Sequence, residues 1–279
     1  MTSGSRGDAG PDYDWSWTED ANDWIPPDVD TTRPSPARMY DYALGGKDNF
    51  AVDRAAVEEI GESCPDYQRA ARLNRSFLLQ TVQMIAETGV RQFIDLGTGI
   101  PTSPNVHEVA RKVNPDTRVV YVDNDPIVMA HNRALRATVP DVITVQHDLR
   151  QPSSVLEDPN VRALIDFDEP VGLLMVAVLH FVRHDTSPEI VAQYGKAAAA
   201  GSYLAISAAC LDGMDPEAVR VIEAVSARSS APVVMRSAGQ IEQLFEGFEL
   251  LDPGLADIAE WADEEPASIR MLAGVARKG

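Results

Sequence analysis

Residues 93–104 read FIDLGTGIPTSP, and this stretch sets the architecture of the chain. An apolar run reaches an acid, Asp95, and is followed by Gly97 and Gly99. Glycines let the backbone turn sharply and leave room for a ligand against the main chain. A helix that opens near Pro104 would add its unpaired N–H groups at the same place. The stretch therefore predicts a strand–turn–helix unit that binds a nucleotide-type ligand at the carboxyl end of the strand.

Short apolar runs alternate with helical stretches from residue 89 onward. Their near-continuous apolar character is typical of strands buried on both faces, as in a largely parallel sheet covered by helices. The last two runs are joined by residues 253–268, which show little helical pattern, and this favours an antiparallel pair at the end of the sheet. The seven predicted strands are 91–96, 118–122, 142–146, 172–178, 202–207, 248–252 and 269–276.

Capping residues before proline, or before an apolar run, mark where helices begin. The predicted caps are Ser35, Thr102 or Ser103, Ser187, Asp215 and Ser237. Before the first strand, helices are expected from Pro36 to the Gly45-Gly46 pair, over 52–60, and from Pro65 to about Glu87. These three helices predict a helical cap ahead of the α/β core.

Three parts of the chain are expected from this pattern. Residues 1–34 hold eight acids against two arginines and show no apolar period, so we expect a mostly disordered leader. Three tryptophans in it leave a partly docked arm as the alternative. Residues 35–88 would form the helical cap or lid, and residues 89–279 the ligand-binding core.

Composition narrows the choice of partners. The 279 residues carry a formal net charge of −19, and so acidic a surface repels polyphosphate, which makes nucleic acid a poor partner. No run approaches the roughly 20 apolar residues of a membrane-spanning helix. Cys64 and Cys210 are isolated and offer neither a disulfide framework nor a zinc site. We therefore expect a cytoplasmic protein with no membrane partner, and leave a homodimer open.

Acids stand at the ends of three predicted strands: Asp95, Asp123 and Asp148. Beside a glycine turn, Asp123 can accept both ribose hydroxyls, and Asp148 can accept from an exocyclic amine such as that of adenine. Thr102 stands where the dinucleotide fingerprint needs a third glycine, which disfavours NAD and FAD. Asp95 would repel a pyrophosphate but suits the ammonium and sulfonium groups of S-adenosylmethionine. The alternative is that the acids only cap helices or turns.

The run from Asp95 to Asp148 resembles the class I S-adenosylmethionine-dependent methyltransferases. Residues 33–50, RPSPARMYDYALGGKDNF, are similar to the opening motif of a bacterial branch, the "S-adenosyl methyltransferase" family, and the resemblance covers about residues 30–279. It implies a Rossmann-like α/β fold with a seven-stranded, mostly parallel sheet, helices on both faces and an antiparallel last strand. Many class I enzymes have a third glycine where this chain has Pro101, so we expect the methionine end of the cofactor to sit slightly differently. The predicted cofactor contacts are Asp95, Gly97, Thr98, Gly99, Asp123, Asn124, Asp148, Leu149 and Ala177.

Residues 174–185, LMVAVLHFVRHD, bear on the acceptor. They lack the Asp or Asn with Pro-Pro of enzymes that methylate nucleic-acid amines, and resemble the corresponding stretch of small-molecule methyltransferases. His180 is the candidate catalytic base, because the unperturbed pKa of histidine is near neutrality. The alternatives are a structural or cofactor-wall histidine and a metal pair with His184. Only Asp185 lies near as a third ligand, so no metal is predicted.

Aromatic and polar residues of the 33–50 segment predict a lid that closes over the cofactor. The predicted lid and substrate residues are Tyr40, Tyr42, Asn49, Phe50 and Arg75. The leading function is methyl transfer from S-adenosylmethionine to a small-molecule acceptor. The alternatives are a non-catalytic S-adenosylmethionine-binding regulatory protein and, less favoured, a nicotinamide oxidoreductase.

Overall fold

Eight strands form one sheet in the computed structural model, which describes residues 30–136 and 139–279. The strands are β1 Gln92–Leu96, β2 Arg118–Asp123, β3 Val142–Gln146, β4 Gly172–Val176, β5 Tyr203–Ala209, β6 Glu249–Leu250, β7 Ala256–Asp257 and β8 Met271–Arg277. Their order is β3-β2-β1-β4-β5-β8-β6, with β7 pairing β8 beside this path. Strands β1 to β5 are parallel, and β8 is antiparallel to its neighbours. The mostly parallel sheet with an antiparallel last strand is confirmed, and the two-residue β7 is an addition.

Helices cover both faces of the sheet. They are α1 Pro36–Ala43, α2 Ala51–Ser63, α3 Tyr67–Glu87, α4 Val106–Val113, α5 Pro126–Arg136, α6 Pro152–Leu156, α7 Pro159–Leu164, α8 Ser187–Ala197, α9 Pro216–Ala227 and α10 Ala238–Glu242. Short 3₁₀ turns add Leu179–Phe181, Gln243–Phe245 and Glu260–Ala262. The three helices predicted before β1 are all present.

Alternate residues of each central strand pack into separate cores. Ile94 and Leu96 lie in one core with Val120, whereas Phe93 lies in the other with Tyr121. Because successive side chains of a strand point to opposite faces, this division shows that both faces of the sheet are buried. The apolar runs in the sequence are therefore explained, as predicted, by strands that are buried on both faces.

The direction of winding reverses between β1 and β4. Strands β2 and β3 follow β1 on one side, and β5 follows β4 on the other. In open α/β sheets, ligands bind outside the carboxyl ends of the strands at such a reversal. The fold therefore places a binding crevice between the loop after β1 and the loop after β4.

Two helix starts differ from the sequence-based expectation. Helix α4 begins at Val106 with Asn105 as its cap, instead of at Pro104, because Asn105 and Glu108 form a reciprocal capping box. Helix α8 has Thr186 as its cap where Ser187 was expected. The predicted caps of α9 and α10, Asp215 and Ser237, are confirmed by their side-chain hydrogen bonds to helix N–H groups.

The N-terminal helices pack on different parts of the core. A third apolar cluster joins Met39, Val57 and Ile60 of α1 and α2 to Ile222 and Val225 of α9. Helix α3 packs instead on the sheet face that holds Phe93. Residues 31–279 form one compact unit, and the leader predicted over 1–34 lies outside the described residues apart from its last five positions. None of the helices in the described ranges has the length and apolar character needed to cross a bilayer.

Candidate functional site

The loop after β1 turns at two glycines in left-handed conformations. Gly97 has φ 77° and Gly99 has φ 66°. The N–H groups of Gly97 and Thr98 both donate to Val122 O, at 2.8 and 3.1 Å, which fastens the loop to β2. A Cβ on Gly97 would stand 2.2 Å from Val178 Cγ2, whereas a Cβ on Gly99 would meet nothing within 4 Å. Gly97 is thus required by packing against the loop after β4, and Gly99 borders open space.

The carboxylate of Asp123, at the end of β2, is joined directly to this glycine loop. Asp123 Oδ2 accepts from the Gly99 N–H at 3.0 Å, and Oδ1 accepts from the Asp125 N–H at 3.0 Å. Burial raises the pKa of Asp123, although the N–H groups of Asp125 and Gly99 oppose that shift. A carboxylate has about four lone-pair positions, so Asp123 keeps acceptor capacity for a ligand's hydroxyls.

The other predicted strand-end acids have different surroundings. Asp95 is buried within β1, at 5% exposure. Asp148 Oδ2 accepts hydrogen bonds from both Nε and Nη2 of Arg150, the second at 2.6 Å. Burial would raise the pKa of Asp148, but hydrogen bonds from Arg150 lower it below its usual range. An amine that binds Asp148 must therefore share the carboxylate with Arg150.

Three predicted contacts surround these acids. Asn124 is exposed between the β2 end and α5, and its side chain bonds to Asp148. Leu149 is buried, and its carbonyl accepts from Tyr194 Oη at 3.1 Å. Ala177 follows β4 in a left-handed conformation with φ 54°, which is uncommon for a residue other than glycine.

A buried hydrogen-bond chain holds Ala177 and was missed by sequence reasoning. The Ala177 N–H donates to Ser207 Oγ at 2.9 Å, and Ser207 Oγ donates to Asn74 Oδ1 at 2.5 Å. Asn74 Nδ2 donates in turn to Tyr40 Oη at 2.9 Å. The Tyr40 hydroxyl donates to Ala71 O at 3.1 Å. The chain connects helix α1 to the loop after β4 through α3 and β5. Its members lie too far apart in sequence for local periodicity to reveal it.

The 33–50 segment is fastened to the scaffold by buried polar contacts. Arg38 Nε donates to Asp53 Oδ2 at 2.7 Å, with the two side chains 3% and 0% exposed. Asp53 also accepts from the N–H groups of Ser35 and Phe50, at 2.8 and 2.9 Å. Ser35 Oγ donates to Asp125 Oδ2 at 3.3 Å, which places the start of α1 beside the end of β2.

The predicted lid residues lie within this fastened segment. Asn49 Nδ2 donates to Asp41 Oδ2 at 2.8 Å. Tyr42 Oη bonds to Glu58 at 3.3 Å, and the guanidinium of Arg38 lies 5.2 Å from the centre of the Phe50 ring. These three side chains therefore contact other residues of the cap. Tyr40 differs, because its hydroxyl accepts from Asn74, which is bonded in turn to Ser207 of the sheet.

Arg75 connects α3 to the loop after the glycines. Its Nη2 donates to Thr102 O at 2.5 Å and to Pro104 O at 2.7 Å. Its Nε is buried and has no hydrogen-bond partner among the described residues. Arg75 therefore helps to hold residues 102–104 as a loop ahead of the capping box that starts α4.

His180 lies in the 3₁₀ turn after β4 and is 8% exposed. Its Nδ1 accepts from the Ala209 N–H at 3.4 Å, and its carbonyl accepts from the Val234 N–H at 2.7 Å. Burial, and then the charge of Arg236, lowers the pKa of His180 to about 3. The imidazole is therefore neutral near pH 7. Whether it can act as a base depends on which ring nitrogen carries its one proton.

The fold around this crevice is that of a methyltransferase, and comparison with known proteins gives the family. The crystal structure of a protein from Thermobifida fusca YX, described as a candidate methyltransferase, is 38% identical and has a TM-score of 0.84, covering 92% of this chain and 99% of its own. A DUF574 family protein from Streptomyces avermitilis MA-4680 is also 38% identical, with a TM-score of 0.82, covering 90% of this chain and 99% of its own.

A family model of S-adenosyl methyltransferases matches residues 22–279, so the chain belongs to that family. Its cofactor is S-adenosylmethionine, as the strand-end acids and the glycine turn predict. No curated protein in the comparison matches the chain.

The site's own geometry fits this cofactor. The open space beside Gly99 leaves the main chain accessible to a ligand. The spare acceptor capacity of Asp123 suits two ribose hydroxyls, and a buried acid at Asp95 suits an ammonium group.

Proposed function

We propose that the protein transfers a methyl group from S-adenosylmethionine to a small-molecule acceptor. One observation carries this proposal: the Asp123 carboxylate is hydrogen-bonded to Gly99 at the reversal between β1 and β4. That arrangement brings together a ribose acceptor and an approachable backbone turn. Family membership supports the same reaction class.

The residues predicted for the cofactor have separable tasks. Asp123 and Asn124 would hold the ribose, Asp148 and Leu149 the adenine, and Asp95 the ammonium group. Gly97 and Thr98 would form the turn, Gly99 would leave the backbone open to the ligand, and Ala177 would border it from the β4 side. When bound, S-adenosylmethionine supplies an electrophilic methyl group. The chain's part is to orient the two reactants and exclude water.

Arg75 is the proposed partner of the methionine carboxylate. It stands beside the loop that follows Gly99, and its Nε has no partner among the described residues. An Arg guanidinium binds carboxylates with well-defined geometry.

A small acceptor is favoured over nucleic acid by charge. The net charge of −19 opposes a polyanion, and the stretch after β4 lacks the Asp or Asn with Pro-Pro used on nucleic-acid amines. The neutral His180 at the end of β4 is the proposed acceptor contact.

A labelled-methyl assay tests the function directly. Purified protein is incubated with deuterated-methyl S-adenosylmethionine and a fractionated extract of small metabolites, and mass spectrometry follows the label. We expect transfer to one metabolite class, reduced with Asp123→Ala at a cofactor concentration near the Kd of the parent. Cofactor binding without transfer to any fraction would favour a regulatory protein, and binding of NAD with no binding of S-adenosylmethionine would overturn the site assignment.

Residues 33–50 have two proposed roles, a lid that closes over the cofactor and a fixed wall of the crevice. Cofactor-linked closure predicts slower hydrogen exchange over Tyr40 to Phe50 when S-adenosylmethionine is added. The buried Arg38–Asp53 pair favours a fixed wall instead, so we expect slowing mainly at residues 95–103 and at Asp123. Strong slowing across the whole 33–50 segment would establish a moving lid.

A further inference from the structure

We propose that His180 contacts the methyl acceptor as a hydrogen-bond donor through its Nε2–H group, and that Arg236 is the positioning residue that fixes this state. The inference rests on the proposed function, because it assigns the acceptor to the same crevice. It changes the role of His180 from a base to a donor, and it narrows the class of acceptor.

The tautomer of His180 follows from its hydrogen bond. A neutral imidazole has one nitrogen that donates and one that accepts. Since the Ala209 N–H donates to Nδ1, the proton belongs on Nε2. No described residue is hydrogen-bonded to Nε2, so this N–H is left for a ligand. A nitrogen that already carries a proton cannot remove one from an acceptor.

Burial is the main reason why the ring does not take a second proton, and the charge of Arg236 adds to it. Its side chain is fully buried, and Nη2 donates to Val182 O at 2.7 Å and Ser187 Oγ at 3.0 Å. Nη1 donates to Val234 O at 3.2 Å, and Nε has no partner. All these acceptors are neutral, so within the described ranges no carboxylate is hydrogen-bonded to this guanidinium. Its charge therefore acts on the neighbouring imidazole without local compensation.

The segment that carries Arg236 also helps to hold the turn of the histidine. The Val234 N–H donates to His180 O, and Arg236 Nη2 donates to Val182 O two residues further on. The Arg236 backbone N–H also donates to Ala209 O at 3.3 Å, beside the group that donates to His180. Arg236 thus adds its charge to the effect of burial on the imidazole and helps to hold the backbone turn that carries the ring.

The acceptor class follows from a donor beside a buried cation. Such a place favours an oxygen that carries negative charge, and disfavours a cationic amine. An ionised oxygen needs no proton removed before it attacks a methyl group, so the absence of a base is no obstacle. We therefore assign the acceptor to the acidic hydroxyl compounds or carboxylates, bound as anions.

Histidine-selective ¹⁵N NMR on the whole protein tests the assignment without any acceptor. The signals lost in His180→Gln identify the residue. We expect the neutral pattern with the proton on Nε2, unchanged from pH 8 to pH 5. A proton on Nδ1, or an imidazolium that forms near pH 6.5, would overturn the proposal.

Variants of Arg236 test its part. Arg236→Met should raise the pH at which His180 takes up a proton by about one unit or more, whereas Arg236→Lys, which keeps the charge, should shift it less. The titration is therefore carried below pH 4, and an unchanged pH of protonation of His180 in a folded Arg236→Met protein would remove Arg236 from the account. If Arg236→Met does not fold, the Lys variant and the parent spectrum still decide the tautomer. The labelled-methyl assay fails independently if the protein is not a methyltransferase.

Discussion

The two halves of the sheet edge differ in charge. On the β1 to β3 side, the groups that face the crevice are carboxylates, and Asp123 is joined to the glycine loop. On the β4 to β5 side the group near the crevice is the neutral imidazole of His180, and the charge of the fully buried Arg236 acts on it from inside the protein. An acidic half suits the cationic groups and ribose of the cofactor, while a half with a buried cation suits an anionic acceptor. One edge of the sheet can therefore bind two reactants of opposite charge side by side.

The halves also differ in how they are built. The cofactor half is made from a short contiguous loop and the next strand end. The acceptor half depends on long-range contacts: Ser207 and Asn74 are 133 positions apart in the chain, and Arg236 and Val182 are 54 apart. Changes in the first half should act locally, whereas changes in the second should act through distant partners.

The largest effect is expected at the contact between the halves, Gly97 against Val178. Gly97→Ala combines a left-handed alanine, about 1–2 kcal/mol, with overpacking, about 1–3 kcal/mol. We expect the free energy of unfolding to fall by about 2–5 kcal/mol, measured by denaturant titration. Gly99→Ala is the matched control, because its φ is also positive but its Cβ has open space.

The control should lose only about 1–2 kcal/mol of stability. Equal losses in the two variants would show that the Val178 contact does not constrain the loop. The pair of variants thus separates backbone conformation from packing across the crevice.

Acid should destabilise the acceptor half through His180. Its pKa is about 3 in the folded protein, below the ordinary 6.5, so between these values the unfolded chain binds the extra proton. Stability is therefore complete above about pH 6.5 and falls as pH is lowered, by up to about 1.4 kcal/mol per unit. At pH 5 the loss from this group is about 2 kcal/mol.

His180→Gln should flatten the pH dependence of unfolding between pH 6.5 and 4, measured by thermal or urea unfolding. The exposed His184→Gln is the matched loss of one histidine and should keep the steeper dependence. Identical curves for the parent and His180→Gln would show that the imidazole is not held neutral by the fold.

Sequence reasoning reached the cofactor half further than the acceptor half, for a physical reason. Glycines after a strand and acids at strand ends are local signals, so Asp95, Gly97 and Asp123 could be named in advance. The start of α4 has a local signal that was not used, because Asn105 and Glu108 stand at capping-box spacing. The bonds from Arg75 to the carbonyls of Thr102 and Pro104 come from another helix and have no such signal.

The same limit applies at His180. Its residue type suggested a base, but its pKa and tautomer depend on Ala209 and Arg236, which only the folded chain brings to the ring. The short β6 and β7 are a further case, since two-residue strands carry too little pattern to be read.

The central claim is that Asp123 binds the ribose of S-adenosylmethionine beside the glycine loop, and calorimetric titration tests it most directly. Asp123→Ala should weaken binding by about 1–3 kcal/mol, or about 5- to 150-fold in Kd, while circular dichroism stays that of the parent. Asp125→Ala is the control, because Asp125 accepts from Ser35 and from the Ile127 N–H at the start of α5. That variant should bind within a few-fold of the parent. A parent-like Kd in Asp123→Ala would contradict the account.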